Sequence, residues 1–193
     1  PFYVETILVI NPFMGDNNSP ELLNPPIDNA CVGSKFVHNP GVFDKDGDSI
    51  SYKIIECRGE SGNFIAGYNY PIGSKSFYID AYTGDLVWDS PTIQGEFNIA
   101  IEVEKWRSGI KIGSIVRDMQ ILVQACKNNP PEIVCEDEIC VIAGTIINLP
   151  IKAFDKDSDI VSLYGTGGPM YLNSNYAEFV NISGIGEVES LFK

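Results

Sequence analysis

Three observations predict an all-β fold for this chain. Valine, isoleucine, threonine and tyrosine recur along its length and aromatic residues make up 11% of it, types that suit a pleated, half-buried surface. Eighteen glycines and twelve prolines call for frequent turns. Long stretches with the apolar period of an amphipathic helix are absent.

Strands follow in order through the middle of the chain. From Ser49 to Glu56, Ile50, Tyr52 and Ile54 share one face and Ser51 and Lys53 the other, the period of two expected of a strand. Ser76–Asp80 and Asp85–Trp88 are two short strands around Ala81-Tyr-Thr-Gly84, a turn whose glycine suits positive φ. Glu96 to Trp106 alternates for longer, with Phe97, Ile99, Ile101 and Val103 inward and Asn98, Ala100, Glu102 and Glu104 outward. Arg107-Ser-Gly109 opens a hairpin, and Gly113 to Ala125 returns. About seven short strands with regular turns describe a sandwich of the immunoglobulin type, with a closed barrel as the alternative. Trp88 and Trp106 read as core or hairpin aromatics.

An internal repeat organises the chain. Asn39-Pro-Gly-Val-Phe-Asp-Lys-Asp-Gly-Asp48 matches Leu149-Pro-Ile-Lys-Ala-Phe-Asp-Lys-Asp-Ser-Asp159 with one residue inserted, which sets Asp44 opposite Asp155. Tyr3-Val-Glu-Thr-Ile-Leu-Val-Ile10 followed by Asp16-Asn-Asn-Ser-Pro20 mirrors the stretch 117–124 followed by Asn128-Asn-Pro-Pro131. Residues 1–14 therefore read as the last strand of a preceding repeat, 18–127 as a complete β-sandwich, and 128–193 as the N-terminal part of a following one. A lone terminal strand must borrow a sheet, so 1–14 could also pair within this chain or with a neighbour.

The formal net charge of −13 would repel a phosphate backbone and argues against nucleic-acid binding. No run of about 18 apolar residues is present that could form a membrane-spanning helix. His38 is the single histidine, which leaves histidine-based metal or triad chemistry little to work with. The acidic residues are more informative. Asp44-Lys-Asp-Gly-Asp48 and Asp155-Lys-Asp-Ser-Asp159 place carboxylates at alternate positions, and hard oxygens on a tight loop suit calcium. An EF-hand is excluded, since Ile55 stands where its twelfth-position Glu would be and no helices flank the loop. A hydrogen-bonded Asx turn is the plainer reading of either triplet, and the third carboxylate in both copies is what favours an ion.

These segments resemble cadherin repeats. Phe43-Asp-Lys-Asp-Gly-Asp-Ser-Ile-Ser-Tyr52 is similar to the cadherin DxD segment before the second core strand, and Phe77-Tyr-Ile-Asp-Ala-Tyr-Thr-Gly-Asp-Leu86 to its F-x-I-D-x-x-T-G-x-I stretch. Asn128-Asn-Pro-Pro-Glu-Ile133 sits where cadherins carry their interdomain linker. The wording also resembles repeats of large surface proteins of gliding bacteria that use type IX secretion. The resemblance implies calcium at the junctions between repeats, stiffening an extracellular, cell-surface rod. Asp44, Asp46 and Asp48 would meet Asp16, Asn17 and Asn18, while Asp155, Asp157 and Asp159 would meet Asn128 and Asn129. The second linker carries Asn where cadherins carry acids, which implies fewer ions per junction.

Five cysteines without a CxxC pair read as disulfide partners in an oxidising compartment. Cys31 opens the unit's first strand and Cys57 closes the next, so a Cys31–Cys57 bridge is expected if those strands are antiparallel. Cys140 would then find Cys135 across a short loop, leaving Cys126 free or bonded elsewhere, with other pairings open. The functional expectation is a non-catalytic, calcium-stabilised structural or adhesive module, its partners neighbouring repeats of the same protein, other proteins or surface glycans. The alternative is a carbohydrate-binding accessory module using Tyr68 and Tyr70. A polysaccharide-degrading enzyme is disfavoured, because the acids cluster in strand-connecting turns rather than facing one another across a cleft.

Overall fold

In the computed structural model, residues 3–193 are described, and they form two compact units that divide after Ala125. Unit 1 is a two-sheet sandwich. Its strands are β1 (Val4–Leu8), β2 (Glu21–Leu22), β3 (Ile27–Cys31), β4 (Lys35–His38), β5 (Val42–Phe43), β6 (Ser49–Ile55), β7 (Gly73–Ile79), β8 (Leu86–Pro91), β9 (Gly95–Arg107) and β10 (Ile110–Gln124). The larger sheet runs β1-β10-β9-β6, with β3 also on β10, the facing sheet runs β4-β8-β7, and β2 and β5 form a short pair apart from both. This strand order, with β3 parallel to the last strand, is that of an immunoglobulin-like sandwich. The alternative of a closed barrel is not what forms.

The core lies between the sheets. Ile99, Ile101 and Val103 of β9 and Met119, Ile121 and Val123 of β10 face Phe36, Leu86 and Trp88 of the other sheet, all buried. Trp88 packs edge-on against Phe77 and Phe97, at 5.8 and 4.9 Å between ring centroids. Trp106 is the hairpin aromatic, its indole N–H donating to Ser51 Oγ at 2.9 Å. The β9–β10 turn has positive φ at both Ser108 and Gly109, the backbone that matches the twist of a tight hairpin. At Gly84 a Cβ would stand 2.7 Å from the Tyr52 ring, so glycine is required there for packing as well as for its φ of +81°.

One inward–outward expectation changes. Ala100 is fully buried on the outer face of the larger sheet, because Tyr68 and Tyr3 cover it together with Cys57 and Val116. The segment read as the last strand of a preceding repeat pairs here as β1 with the first half of β10, Val4 opposite Arg117 through Leu8 opposite Gly113. The backbone N–H of Tyr3 donates to the buried Asp118 carboxylate at 2.7 Å and fastens this strand. β3 takes the second half of the same edge, so two segments share one long strand. Pro1 and Phe2, part of the 1–14 reading, lie outside the described residues.

The disulfide expectations are corrected. Cys31 and Cys126 are bonded to each other, while Cys57 is free and buried and Cys135 and Cys140 are free and exposed. The reason is topological. β3 lies on the β10 edge, with β10 and β9 between it and β6, so Cys57, just past β6, is out of reach of Cys31. Cys31 instead stands opposite Gln124 at the end of β10, and Cys126 follows two residues later.

Unit 2 is smaller. Its strands are β11 (Glu132–Val134), β12 (Leu149–Phe154), β13 (Ile160–Leu163), β14 (Ile182–Ile185) and β15 (Glu187–Phe192). β11-β12-β15 form one sheet and β13-β14 another, around Ala153, Val161, Leu163 and Val188. Among the described residues it has no long strand pair equivalent to β9–β10.

Candidate functional site

The acidic loop of unit 1 joins β5 to β6, and its shape comes from its first aspartate. Asp44 Oδ1 accepts the backbone N–H groups of Asp46 and Asp48, both at 3.0 Å, and the Gly47 N–H reaches the Asp44 carbonyl. This is an Asx turn, with Gly47 at φ +74° supplying the left-handed bend. The turn aims three carboxylates to one side, close enough for one oxygen from each to lie within 4.8 Å of the others.

A cation stands at their focus. The Lys105 ammonium lies 2.8 Å from Asp44 Oδ2, 2.6 Å from Asp46 Oδ2 and 2.8 Å from Asp48 Oδ2. It also donates to the Asn18 carbonyl at 2.8 Å. The contact with Asp44 Oδ2 falls outside hydrogen-bond geometry and is a charge pair. The Lys105 side chain is 0% exposed. Beside it, Arg107 grips Asp48 with a two-pronged guanidinium, Nε to Oδ1 and Nη2 to Oδ2, both 2.6 Å. Its Nη1 donates to the carbonyls of Met14 and Asp16 at 2.5 and 3.0 Å. Charge-assisted pairs of this length are the strong ones.

β9 explains why these two cations are here. Phe97, Ile99, Ile101 and Val103 point into the sandwich, and the same alternation carries Lys105 and Arg107 onto that face. The apolar core ends at Val103, and the loop's carboxylates receive the next two inward side chains. β6 pairs with β9 so that Ser49 faces Trp106 and Ile50 faces Lys105, which delivers the loop to that end of the strand. Sequence reasoning missed both cations because the inward register was followed only as far as Val103. Extending it by four residues, toward an acidic loop just before the paired strand, would have found them.

The electrostatics follow from this packing. Burial alone would raise the Asp46 carboxyl, but the Asn18 amide, the Lys105 ammonium and the Asn18 side chain outweigh it and hold it well below the usual carboxylate range. The Arg107 guanidinium, against some burial and with help from Lys105, lowers Asp48. Burial opposes the charge on Lys105, and the carboxylates of Asp44, Asp46 and Asp48 overcome it and raise its pKa. A second network lies on the outer face of β9, where Lys53 and Lys111 each contact both Glu102 and Glu104 at 2.7–3.1 Å.

The linker residues expected to meet the triplet divide. Asn18 does so, its N–H and side-chain amide donating to Asp46 at 2.6 and 2.7 Å. Asp16 contributes only its carbonyl, to Arg107. Asn17 turns elsewhere, its amide bridging the carbonyls of Val9 and Ile112 at 3.0 Å each.

In unit 2 the loop between β12 and β13 repeats this backbone. Asp155 Oδ1 accepts the N–H groups of Asp157 and Asp159 at 2.8 and 3.1 Å. Asn129 donates its N–H and side-chain amide to Asp157, 28 residues away, the same separation as Asn18 and Asp46. Ser158 holds the position of Gly47, at φ +63°. Asn128 is exposed. Among the described residues no lysine or arginine pairs with Asp155, Asp157 or Asp159, and Lys156 turns away to Glu132. Nor do these three carboxylates converge as the first three do.

The tyrosines of the carbohydrate reading also separate. Tyr68 donates its hydroxyl to the Asn98 carbonyl at 3.0 Å and packs against the Cys57 cluster. Burial, with the neighbouring Cys57, pushes its pKa far up. Tyr70 meets it edge-on at 5.5 Å and lines a shallow groove with Ile54, Pro71 and Phe77. Asp80 caps its own turn, accepting the N–H groups of Tyr82 and Thr83 at 2.8 Å. No helix is long and apolar enough to cross a membrane among the described residues.

No family model matches this chain and no curated protein does. Among solved structures it is similar to a protocadherin gammaB7 EC3-6 cis-dimer structure, at 14% identity over 88% of this chain and a TM-score of 0.26. The chain spans 37% of the length of that neighbour.

Proposed function

We propose that this chain is a non-catalytic extracellular structural or adhesive module, in which each acidic loop ties the segment entering a sandwich to that sandwich. The observation that carries this reading is the shared geometry of the two loops. Asn18 on Asp46 and Asn129 on Asp157 are the same tether built twice. Ion pairs also take up the clustered carboxylates of β9 and the first loop. This supports a load-carrying role for them over acid–base work, which needs a carboxylate free to exchange a proton with substrate.

Calcium belongs to the second loop in this reading. Its Asx turn leaves Asp155 Oδ2 and the carboxylates of Asp157 and Asp159 without a protein cation, and their hard oxygens suit a calcium ion. The ion would supply the positive charge that draws the three together. The test is the melting temperature of the full chain in calcium and in EDTA. Calcium is expected to raise it, and Asp157→Asn to abolish the rise; identical melting in both buffers removes calcium from the account. The carbohydrate reading retains Tyr70 at its groove, and binding on a glycan array that Tyr70→Ala abolishes would replace the adhesive reading with it.

A further inference from the structure

We infer that Lys105 is the resident cation of the first acidic loop, so that this loop holds its tether without calcium. Four oxygens surround the Nζ, three from carboxylates and one from the Asn18 carbonyl, at 2.6–2.8 Å. The ammonium donates to Asp46 Oδ2 and the Asn18 carbonyl and pairs by charge with Asp44 and Asp48. An ion at the same focus would have to expel a lysine side chain that is 0% exposed. The expelled ammonium would have to swing clear of a strand whose neighbouring residues are packed in the core.

Lys105 also does mechanically what a bridging ion would do. It joins the loop to residue 18, and Arg107 joins the same loop to residues 14 and 16. Three carboxylates thus face two protein cations at one end of β9. A divalent ion added to that set would meet two positive charges within a few ångströms. The calcium ligand set implied for Asp44, Asp46 and Asp48 therefore does not fit a calcium ion while Lys105 is present. This inference is independent of the adhesive reading, since it concerns only which cation fills the loop.

Calcium titration calorimetry of the full chain tests it, in a background carrying Asp157→Asn and Asp159→Asn to silence the second loop. With Lys105 present, no saturable calcium binding is expected. With Lys105→Gln in the same background, one site is expected to appear, with affinity at least about tenfold above any residual binding. Saturable binding in the Lys105 protein that Asp46→Asn removes would overturn the inference, and so would the failure of folded Lys105→Gln to bind. Should Lys105→Gln fail to fold, nitrogen-15 NMR of the lysine side chains decides with the parent protein. A slowly exchanging Lys105 ammonium signal unmoved by calcium sustains the inference, and its absence or its release by calcium defeats it.

Discussion

The two acidic loops share a backbone and differ in what lies at their centre. In each, the first aspartate accepts two amides, a residue with positive φ makes the bend, and an upstream asparagine grips the middle aspartate. In unit 1 the three carboxylates converge on Lys105; in unit 2 they do not converge, and no protein cation pairs with them among the described residues. The difference teaches that an Asp-x-Asp-x-Asp loop is a frame set by local hydrogen bonds, whereas its chemistry depends on the long-range strand beside it. β9 supplies a lysine to the first loop, whereas β14, the strand paired with β13, ends at Ile185 opposite Ile160 and meets the second loop with the Gly186 backbone instead of a cation.

The most disruptive way to test this contrast is Lys105→Met. It leaves three largely buried carboxylates without their central charge, and a loss of about 3–5 kcal/mol is expected from urea unfolding of unit 1. Loss of less than about 1 kcal/mol would place the lysine at a solvated surface rather than at a buried focus. Next is the disulfide that fixes Cys31, at the end of β3, to Cys126, two residues past the end of β10. Cys31→Ser is expected to cost about 2–4 kcal/mol, and a reducing agent should lower the unit 1 transition by a similar margin while leaving that of unit 2 in place.

A third test uses pH. The Asp46 and Asp48 carboxyls are lowered on folding, so their contribution is present above the unfolded carboxylate pKa of about 3.9 and is lost as pH falls below it. Lys105 is raised, so its contribution is full below about pH 10.4 and is lost as pH rises through its folded value. Unit 1 should therefore hold a plateau from about pH 5 to 8 and weaken on both sides, on the alkaline side first because burial raises the Cys57 thiol. A steady decline inside that window would contradict the ion cluster. Smaller still is Ser158→Gly, which relieves a left-handed serine and should stabilise unit 2 by up to about 1 kcal/mol. Lys156→Gln should leave the melting temperature unchanged, because its partner Glu132 is in solvent.

Much of this contrast was legible in the chain before folding. The alternation in β6 and β9, the glycine turn at Gly84, the Arg107–Gly109 hairpin and the twin aspartate triplets all rest on neighbours within a few residues. The immunoglobulin-like order was legible because seven such strands and their turns leave few topologies. The disulfide was not. Cys31 and Cys57 are each near a strand end, and only the placement of β3 on the β10 edge parts them and brings Cys126 to Cys31. Tyr68, offered by the sequence as a carbohydrate contact, instead donates its hydroxyl to Asn98 on β9.

By itself the sequence determined which residues alternate in β6 and β9, which residues bend the two acidic loops, and that the two loops carry the same aspartate spacing, since each depends on side-chain period, φ preference and short-range hydrogen bonds. Tertiary structure alone decided which cysteine meets Cys31 and which cation meets the first three aspartates. Those partners are separated by tens of residues, and the register of β9 against β6 and of β3 against β10 is what brings them within bonding distance.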